Sequence, residues 1–278
     1  MAGDLDGLGY RGSTVVVTGC ASGMGAATAR ILGELGARVH AVDVNEPSVP
    51  YEAFYKTDLA DPAQIDATAA ALRAAGPIHH HFNCAGVSHT LGPLTCVVVN
   101  YIGTRYLTEQ ILPAIADGGS IATIASDAGM AWQGNLPAIF ELLAIEDPYE
   151  ARAWCESHPD AMRFDGYSFS KELLIVWAMQ TSVALGEQRR IRTNCIGPCP
   201  TSTAFMDVTI KDIGQEYFDK FPYPLLGRMA TAEEQAWPLV LLNSKLNAVV
   251  SGAVLYTDQG FAGGLYTGQI DPAILSVE

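Results

Sequence analysis

A strand-forming run, Thr14-Val15-Val16-Val17, leads directly into Thr18-Gly19-Cys20-Ala21-Ser22-Gly23-Met24-Gly25 and then into an alanine-rich helix pattern. Few folds accommodate that succession. Ala26, Ala27, Ala29, Ile31, Leu32 and Leu35 give the helix one apolar face, and Gly36 is placed to end it. Strand, glycine turn and helix in this order make a phosphate cradle. Gly19 permits the tight turn, Gly23 lets backbone approach a pyrophosphate, and Gly25 lets helix and strand pack closely, with the first helix amides facing the anion.

A second strand pattern, Arg38-Val39-His40-Ala41-Val42, ends on Asp43, about twenty residues beyond the glycine turn, where a carboxylate accepts hydrogen bonds from adenosine ribose hydroxyls. A 2′-phosphate would meet that carboxylate, and neither Cys20 nor Val44 offers a compensating positive charge. The pattern therefore favours NAD over NADP. A turn residue closing a strand is the competing explanation for Asp43.

With 278 residues, 49% of them hydrophobic, and strand and helix patterns alternating, the chain is expected to bury one large core around a single parallel sheet. No linker, repeat or charge block divides it, so one domain over 1–278 is expected. The net charge of −14 argues against nucleic acid or anionic membrane as a partner, because both need a basic footprint. Apolar runs such as 173–179 are too short to span a bilayer, and no basic segment followed by an apolar one opens the chain; a soluble, cytoplasmic protein is expected. Cys20, Cys84, Cys96, Cys155, Cys195 and Cys199 contain no Cys-x-x-Cys pair and are expected to be reduced thiols. No histidine lies near Cys195 and Cys199 in sequence. His79, His80 and His81 alternate across a strand pattern, so no metal site is expected.

Tyr167 and Lys171, in Tyr167-Ser168-Phe169-Ser170-Lys171, lie one helical turn apart, so a phenol and an ammonium project from one helix face. A nearby positive charge favours the phenolate and brings a pKa of ~10 toward working pH, which makes the pair a candidate acid/base. Spacing alone also fits two residues on an exposed helix face.

Together, the glycine turn, Asp43 and the Tyr/Lys pair resemble the classical short-chain dehydrogenase/reductase family along nearly the whole chain, and the intermediate motifs follow in order. Asp58-Leu59, after a third strand, resembles the family's adenine-contacting pair. Asn83-Cys84-Ala85-Gly86 resembles its Asn-Asn-Ala-Gly motif with cysteine in the second place. Ser120-Ile121-Ala122-Thr123-Ile124-Ala125-Ser126 resembles its fifth strand, and Ile191-Arg192-Thr193-Asn194-Cys195-Ile196-Gly197-Pro198 its sixth.

The resemblance implies a single Rossmann-like, doubly wound parallel β-sheet with helices on both faces. It also implies a catalytic tetrad of Asn100, Ser126, Tyr167 and Lys171. Tyr167 carries the proton, Ser126 holds the substrate oxygen, Lys171 lowers the Tyr167 pKa and binds the nicotinamide ribose, and Asn100 supports a water through a helix irregularity. Ser126 as merely a small residue ending a strand is the competing view. Cofactor contacts are implied for Gly19, Ser22, Gly23, Met24, Gly25, Asp43, Asp58, Leu59, Asn83, Ala85, Gly86, Tyr167, Lys171, Pro198 and Thr203. A homo-oligomer, dimer or tetramer, is expected.

The chain departs from the family's usual pattern in three places. Thirteen residues separate Gly86 from Asn100, a short loop that would leave the rim of the site more open. Forty residues separate Ser126 from Tyr167, an insertion at about 127–166 whose Ala138, Phe140, Leu142, Leu143, Ile145, Trp154 and Met162 would cap substrate, bury against a second subunit, or decorate the surface. Pro198-Cys199 stands where Pro-Gly is usual. It opens a region at about 199–228 in which Phe205, Met206, Val208, Ile210, Ile213, Tyr217, Phe218 and Phe221 would form a lid or a core helix. Short loop and long insert resemble a subgroup containing bacterial 3α-hydroxysteroid dehydrogenase/carbonyl reductase and coniferyl-alcohol dehydrogenases.

These features lead to an expected NAD-dependent oxidoreductase acting on a bulky, mostly apolar secondary alcohol or ketone, steroid-like or aromatic, with Tyr167 as general acid/base. A catalytically silent NAD(H)-binding redox sensor of the same fold is the alternative from another class. Reduction of a different small carbonyl or an enoyl substrate is the alternative within enzymes.

Overall fold

Strand β1 (Thr14–Thr18) is buried at every position and lies inside a seven-stranded parallel sheet in the computed structural model, which describes residues 5–163 and 165–275. A strand with helices over both faces needs apolar side chains on both, which is why its three middle residues are all valines. Val15 and Val17 pack in one layer with Leu32 of α1 (Gly23–Glu34), whereas Val16 packs in the other with Ile65 of α2 (Pro62–Ala74). The remaining strands are β2 (Arg38–Asp43), β3 (Ala53–Lys56), β4 (Ile78–Asn83), β5 (Ile115–Ile124), β6 (Arg192–Pro198) and the edge strand β9 (Val254–Thr257), in the order β3-β2-β1-β4-β5-β6-β9. Strand order reverses between β1 and β4. A crevice opens there at the strands' carboxyl ends, the place where sheets of this kind take nucleotides. The short strands β7 (Thr201–Ser202) and β8 (Ala230–Thr231) form a separate pair.

Helix α3 (Pro93–Val97) passes through a π-helical segment, Val98–Gly103, into α4 (Thr104–Ile111). Helices α5 (Leu136–Leu143) and α6 (Pro148–Ser157) lie in the insertion, and α7 (Tyr167–Arg189) follows it. Helices α8 (Ala204–Ile213) and α9 (Gln215–Lys220) precede α10 (Ala232–Asn243), which packs beside α1, and α11 (Phe261–Tyr266) follows β9.

The insertion turns its apolar face inward on its own chain. Leu142, Leu143 and Met162 are buried in one cluster with Tyr101 and Ile102 of the π segment and with Phe169, Leu173 and Trp177 of α7; Ala138, Ile145 and Trp154 pack against it. Phe140 stays 51% exposed. Residues 169–178 of α7 are consequently buried on every face. An ion pair joins the two parts: the fully buried Glu172 accepts from Arg163 Nη2 at 3.0 Å and from Asn135 Nδ2.

His80 and His81 lie on opposite sides of β4, His80 Nδ1 bonding to Ser120 Oγ at 2.7 Å and His81 Nε2 to Thr108 Oγ1 at 3.2 Å. Burial holds both below the usual imidazole range, at about 3 and about 4, so they are neutral structural groups.

Candidate active site

The crevice forms a cleft of about 1200 Å³, running from the glycine turn past the start of α7 to α8 and α9. At its nucleotide end the glycines are demanded by sterics. Gly19 has φ +66° and a Cβ there would lie 2.6 Å from Ala85 backbone, while a Cβ on Gly25 would lie 2.0 Å from the Gly19 carbonyl oxygen. Only hydrogen fits at either place, so turn, β4 and α1 close up around a backbone cradle. Ser22 begins α1 without a side-chain cap among the described residues, which leaves the first helix amides for a ligand. Asp43, at the end of β2, accepts the amides of Ala21 at 2.9 Å and Asn45 at 3.0 Å, bonds that fix its carboxylate in the wall of the cleft. Asp58, Leu59, Ala85, Gly86, Pro198, Met24 and Thr203 line the same wall. Thr203 caps α8 by accepting the Met206 amide, and its Cγ2 would lie 3.4 Å from a Cβ on Gly23, so the head of α8 faces the glycine turn.

One expected cofactor contact is placed differently. Asn83 points beneath the cleft, donating to Thr108 and Thr123 and so tying β4 to α4 and β5; the strand's alternation turns it away from the crevice. Asn100 lies in a helix irregularity, the π segment, and is fully buried. Its amide accepts from Val87 N at 2.7 Å and donates to Val87 O at 3.1 Å and Ser170 Oγ at 3.2 Å, so it braces the loop after β4 from behind the cleft.

Ser126, Tyr167 and Lys171 converge. Gly129 makes this possible, because its α-carbon lies so near α7 that a Cβ would meet the Lys171 backbone at 2.9 Å. Lys171 Nζ donates to the Ile124 carbonyl at 3.1 Å and stands 5.4 Å from the Tyr167 ring centroid. Burial lowers the Lys171 pKa to about 8, with Cys96 and Cys84 acting against it. Burial raises Tyr167 above the ordinary phenol range, opposed by the neighbouring Ser126 hydroxyl and reinforced by Asp127. That direction is opposite to the effect expected from Lys171: desolvation of the phenolate outweighs an ammonium whose charge is shared with a carbonyl.

The far end of the cleft is aromatic and aliphatic. Phe205, Met206 and Ile213 of α8, Tyr217 and Phe218 of α9, and Phe221 face it together with Phe261 and Met130, whereas Val208 points outward and is 44% exposed. His89 Nε2 pairs with Asp212 at 2.8 Å, joining the loop after β4 to the end of α8 across the mouth. Sequence reasoning missed Asp127, Phe261 and the His89–Asp212 contact. Only Asp127 left a signal, an acidic residue directly after the serine.

Glycine cradle, a fixed carboxylate at the end of β2 and a Ser/Tyr/Lys cluster around one cleft define a nucleotide-dependent oxidoreductase of Rossmann type. Family models bear this out: one described as "short chain dehydrogenase" matches residues 13–138 and one described as "Enoyl-(Acyl carrier protein) reductase" matches residues 158–262, and neither includes residues 139–157 of the insertion. Coniferyl-alcohol dehydrogenase of Pseudomonas sp. is 35% identical over 89% of this chain and 96% of its own length. The 3-alpha-hydroxysteroid dehydrogenase/carbonyl reductase of Comamonas testosteroni is 29% identical over 89% and 96%. The crystal structure of the 3-alpha-hydroxysteroid dehydrogenase from Pseudomonas sp. B-0831 complexed with NADH superposes with a TM-score of 0.79 at 25% identity, covering 93% of this chain and all of that one. The chain belongs to the short-chain dehydrogenase/reductase family, whose members bind a nicotinamide cofactor and act on alcohols and carbonyls. Among the described residues, no helix is long and apolar enough to cross a membrane.

Proposed function

We propose that the protein is an NAD-dependent dehydrogenase of a bulky, mostly apolar alcohol with an aromatic or steroid-like frame, and a reductase of the corresponding carbonyl. The observation that carries this reading is the course of the cleft, from a fixed carboxylate at the adenosine end, past Ser126 and Tyr167, to a wall of Phe205, Tyr217, Phe218, Phe221 and Phe261. Such a wall gains free energy by covering a flat apolar frame. The names of the Pseudomonas and Comamonas relatives fit it, one an aromatic alcohol and the other a hydroxysteroid and carbonyl substrate.

The nicotinamide cofactor, when bound, accepts or supplies the hydride. Gly19, Ser22, Gly23, Met24 and Gly25 would hold its phosphates, Asp43 its adenosine ribose, Asp58 and Leu59 its adenine, and Pro198 and Thr203 its nicotinamide. Tyr167 takes the hydroxyl proton in oxidation and returns it in reduction. Ser126 donates to the substrate oxygen, and Lys171 supports the phenolate. The test is purified protein with NAD or NADP and a panel of steroid, cinnamyl-type aromatic, terpene and aliphatic alcohols, read by cofactor absorbance. NAD-selective turnover of an aromatic or steroid alcohol is expected. NADH binding without turnover across the panel would replace this reading with the redox sensor.

A further inference from the structure

We infer that Asp127 is a positioning residue that decides whether Ser126 can donate to the substrate oxygen. As a carboxylate it holds the serine proton; as a carboxylic acid it donates to Ser126 Oγ and frees that proton. The inference rests on the substrate-oxygen role of Ser126 proposed above and deepens it.

A serine hydroxyl has one proton and two lone pairs. Here Oγ of Ser126 donates to Asp127 Oδ1 at 3.0 Å and accepts the Ala128 amide at 3.2 Å. One lone pair remains, which suits a donor. A carbonyl or alkoxide oxygen needs a donor instead, and Ser126 supplies one only by releasing Asp127. A carboxylate accepts only, so it competes with substrate for the serine proton. A protonated Asp127 reverses the bond, donates to Oγ and leaves the serine proton to the substrate. No proton is consumed in the exchange: Tyr167 still delivers the one that reaches the oxygen.

Both states are accessible near neutral pH. Burial, reinforced by Asp258 and opposed by the Ser126 bond, raises the Asp127 carboxyl to about 7. The titratable groups facing it are Tyr167 at the start of α7, Cys199 after β6, Tyr217 on α9, Tyr223 after α9 and Asp258 after β9. The thiol and phenols among them have pKa values raised by burial and remain neutral across this range.

Two readouts test the inference. Infrared difference spectra from pH 5 to 9 should show a protonated-carboxyl band lost with a midpoint near the value above, absent in Asp127→Asn and moved to higher pH in Ser126→Ala, which lacks the bond favouring the carboxylate. With NADH saturating and cinnamaldehyde or a 3-ketosteroid as probe, kcat/KM for reduction should fall about tenfold or more through that midpoint, the scale of losing one donor to a developing oxyanion. Asp127→Asn, whose amide donates at every pH, should lose the break at that midpoint whatever its absolute level, leaving only a change near pH 8, where Lys171 loses its charge. A break at the Asp127 midpoint retained in Asp127→Asn, or an infrared midpoint unmoved in Ser126→Ala, overturns the inference. Absence of turnover with every probe would instead count against the proposed function, and the infrared titration would still decide the Asp127–Ser126 coupling.

Discussion

Lys171 and Tyr167 share one helix face, yet the ammonium is committed to the Ile124 carbonyl at 3.1 Å and sits 5.4 Å from the phenol's ring centroid. The tyrosine is therefore the group whose removal is cleanest to interpret. Tyr167→Phe deletes the proposed proton carrier and keeps the ring against Phe205. Turnover should fall by about 10²- to 10⁴-fold, the usual contribution of a positioned acid/base, while NADH affinity by fluorescence titration stays within about twofold. Turnover close to that of the parent protein would remove Tyr167 from the mechanism.

In the proposed function, cofactor choice depends on Asp43. Its carboxylate is fixed by the Ala21 and Asn45 amides, so it cannot swing away from a 2′-phosphate. Asp43→Asn retains an acceptor for those amides and removes the charge. The ratio of kcat/KM for NADP over NAD should rise by about tenfold, roughly 1.4 kcal/mol, and further when Val44→Arg is added. An unchanged ratio in the double variant would place ribose selection elsewhere.

What the sequence revealed and what it hid follow from distance along the chain. The glycine turn, Asp43 and the Tyr167/Lys171 step are each written within one element, where spacing alone fixes which groups meet. Asn83 misled because it belongs to a recognisable motif, yet one step of β4's alternation turns it under the cleft toward Thr108 and Thr123. Asp127 needed the whole fold: the walls around it come from β6, α9 and β9, separated by many residues from the serine loop. The insertion's apolar residues were visible as apolar, but whether they face substrate, a second subunit or α7 depends on a helix that follows them.

That docking has a direct energetic consequence. Leu142 is fully buried against α7 and the π segment, whereas Phe140 of the same helix is 51% exposed. Leu142→Ala should cost about 2–5 kcal/mol of unfolding free energy through lost burial and a residual cavity, and Phe140→Ala within about 0.5 kcal/mol. Urea denaturation separates the two. Equal costs would mean that α5 does not pack on α7 in solution.

Asp127 also makes a prediction about stability that is independent of turnover. Its carboxyl has a pKa of about 7 in the folded protein, against an ordinary value of 3.8. Between those values the folded state binds the proton and the unfolded state does not, so this group lowers stability as pH rises from about 4 to 7 and exerts its full cost above 7. Asp127→Asn removes the ionisation. The variant should match the parent at pH 4, gain progressively through pH 7, and exceed it by roughly 2 kcal/mol at pH 8, a figure reduced from full burial because the side chain faces an open cleft. Paired urea melts at pH 4, 6 and 8 measure the trend. A constant difference across the three would mean that Asp127 ionises in the folded protein as freely as in the unfolded chain, and its bond to Ser126 would then be that of a permanent carboxylate.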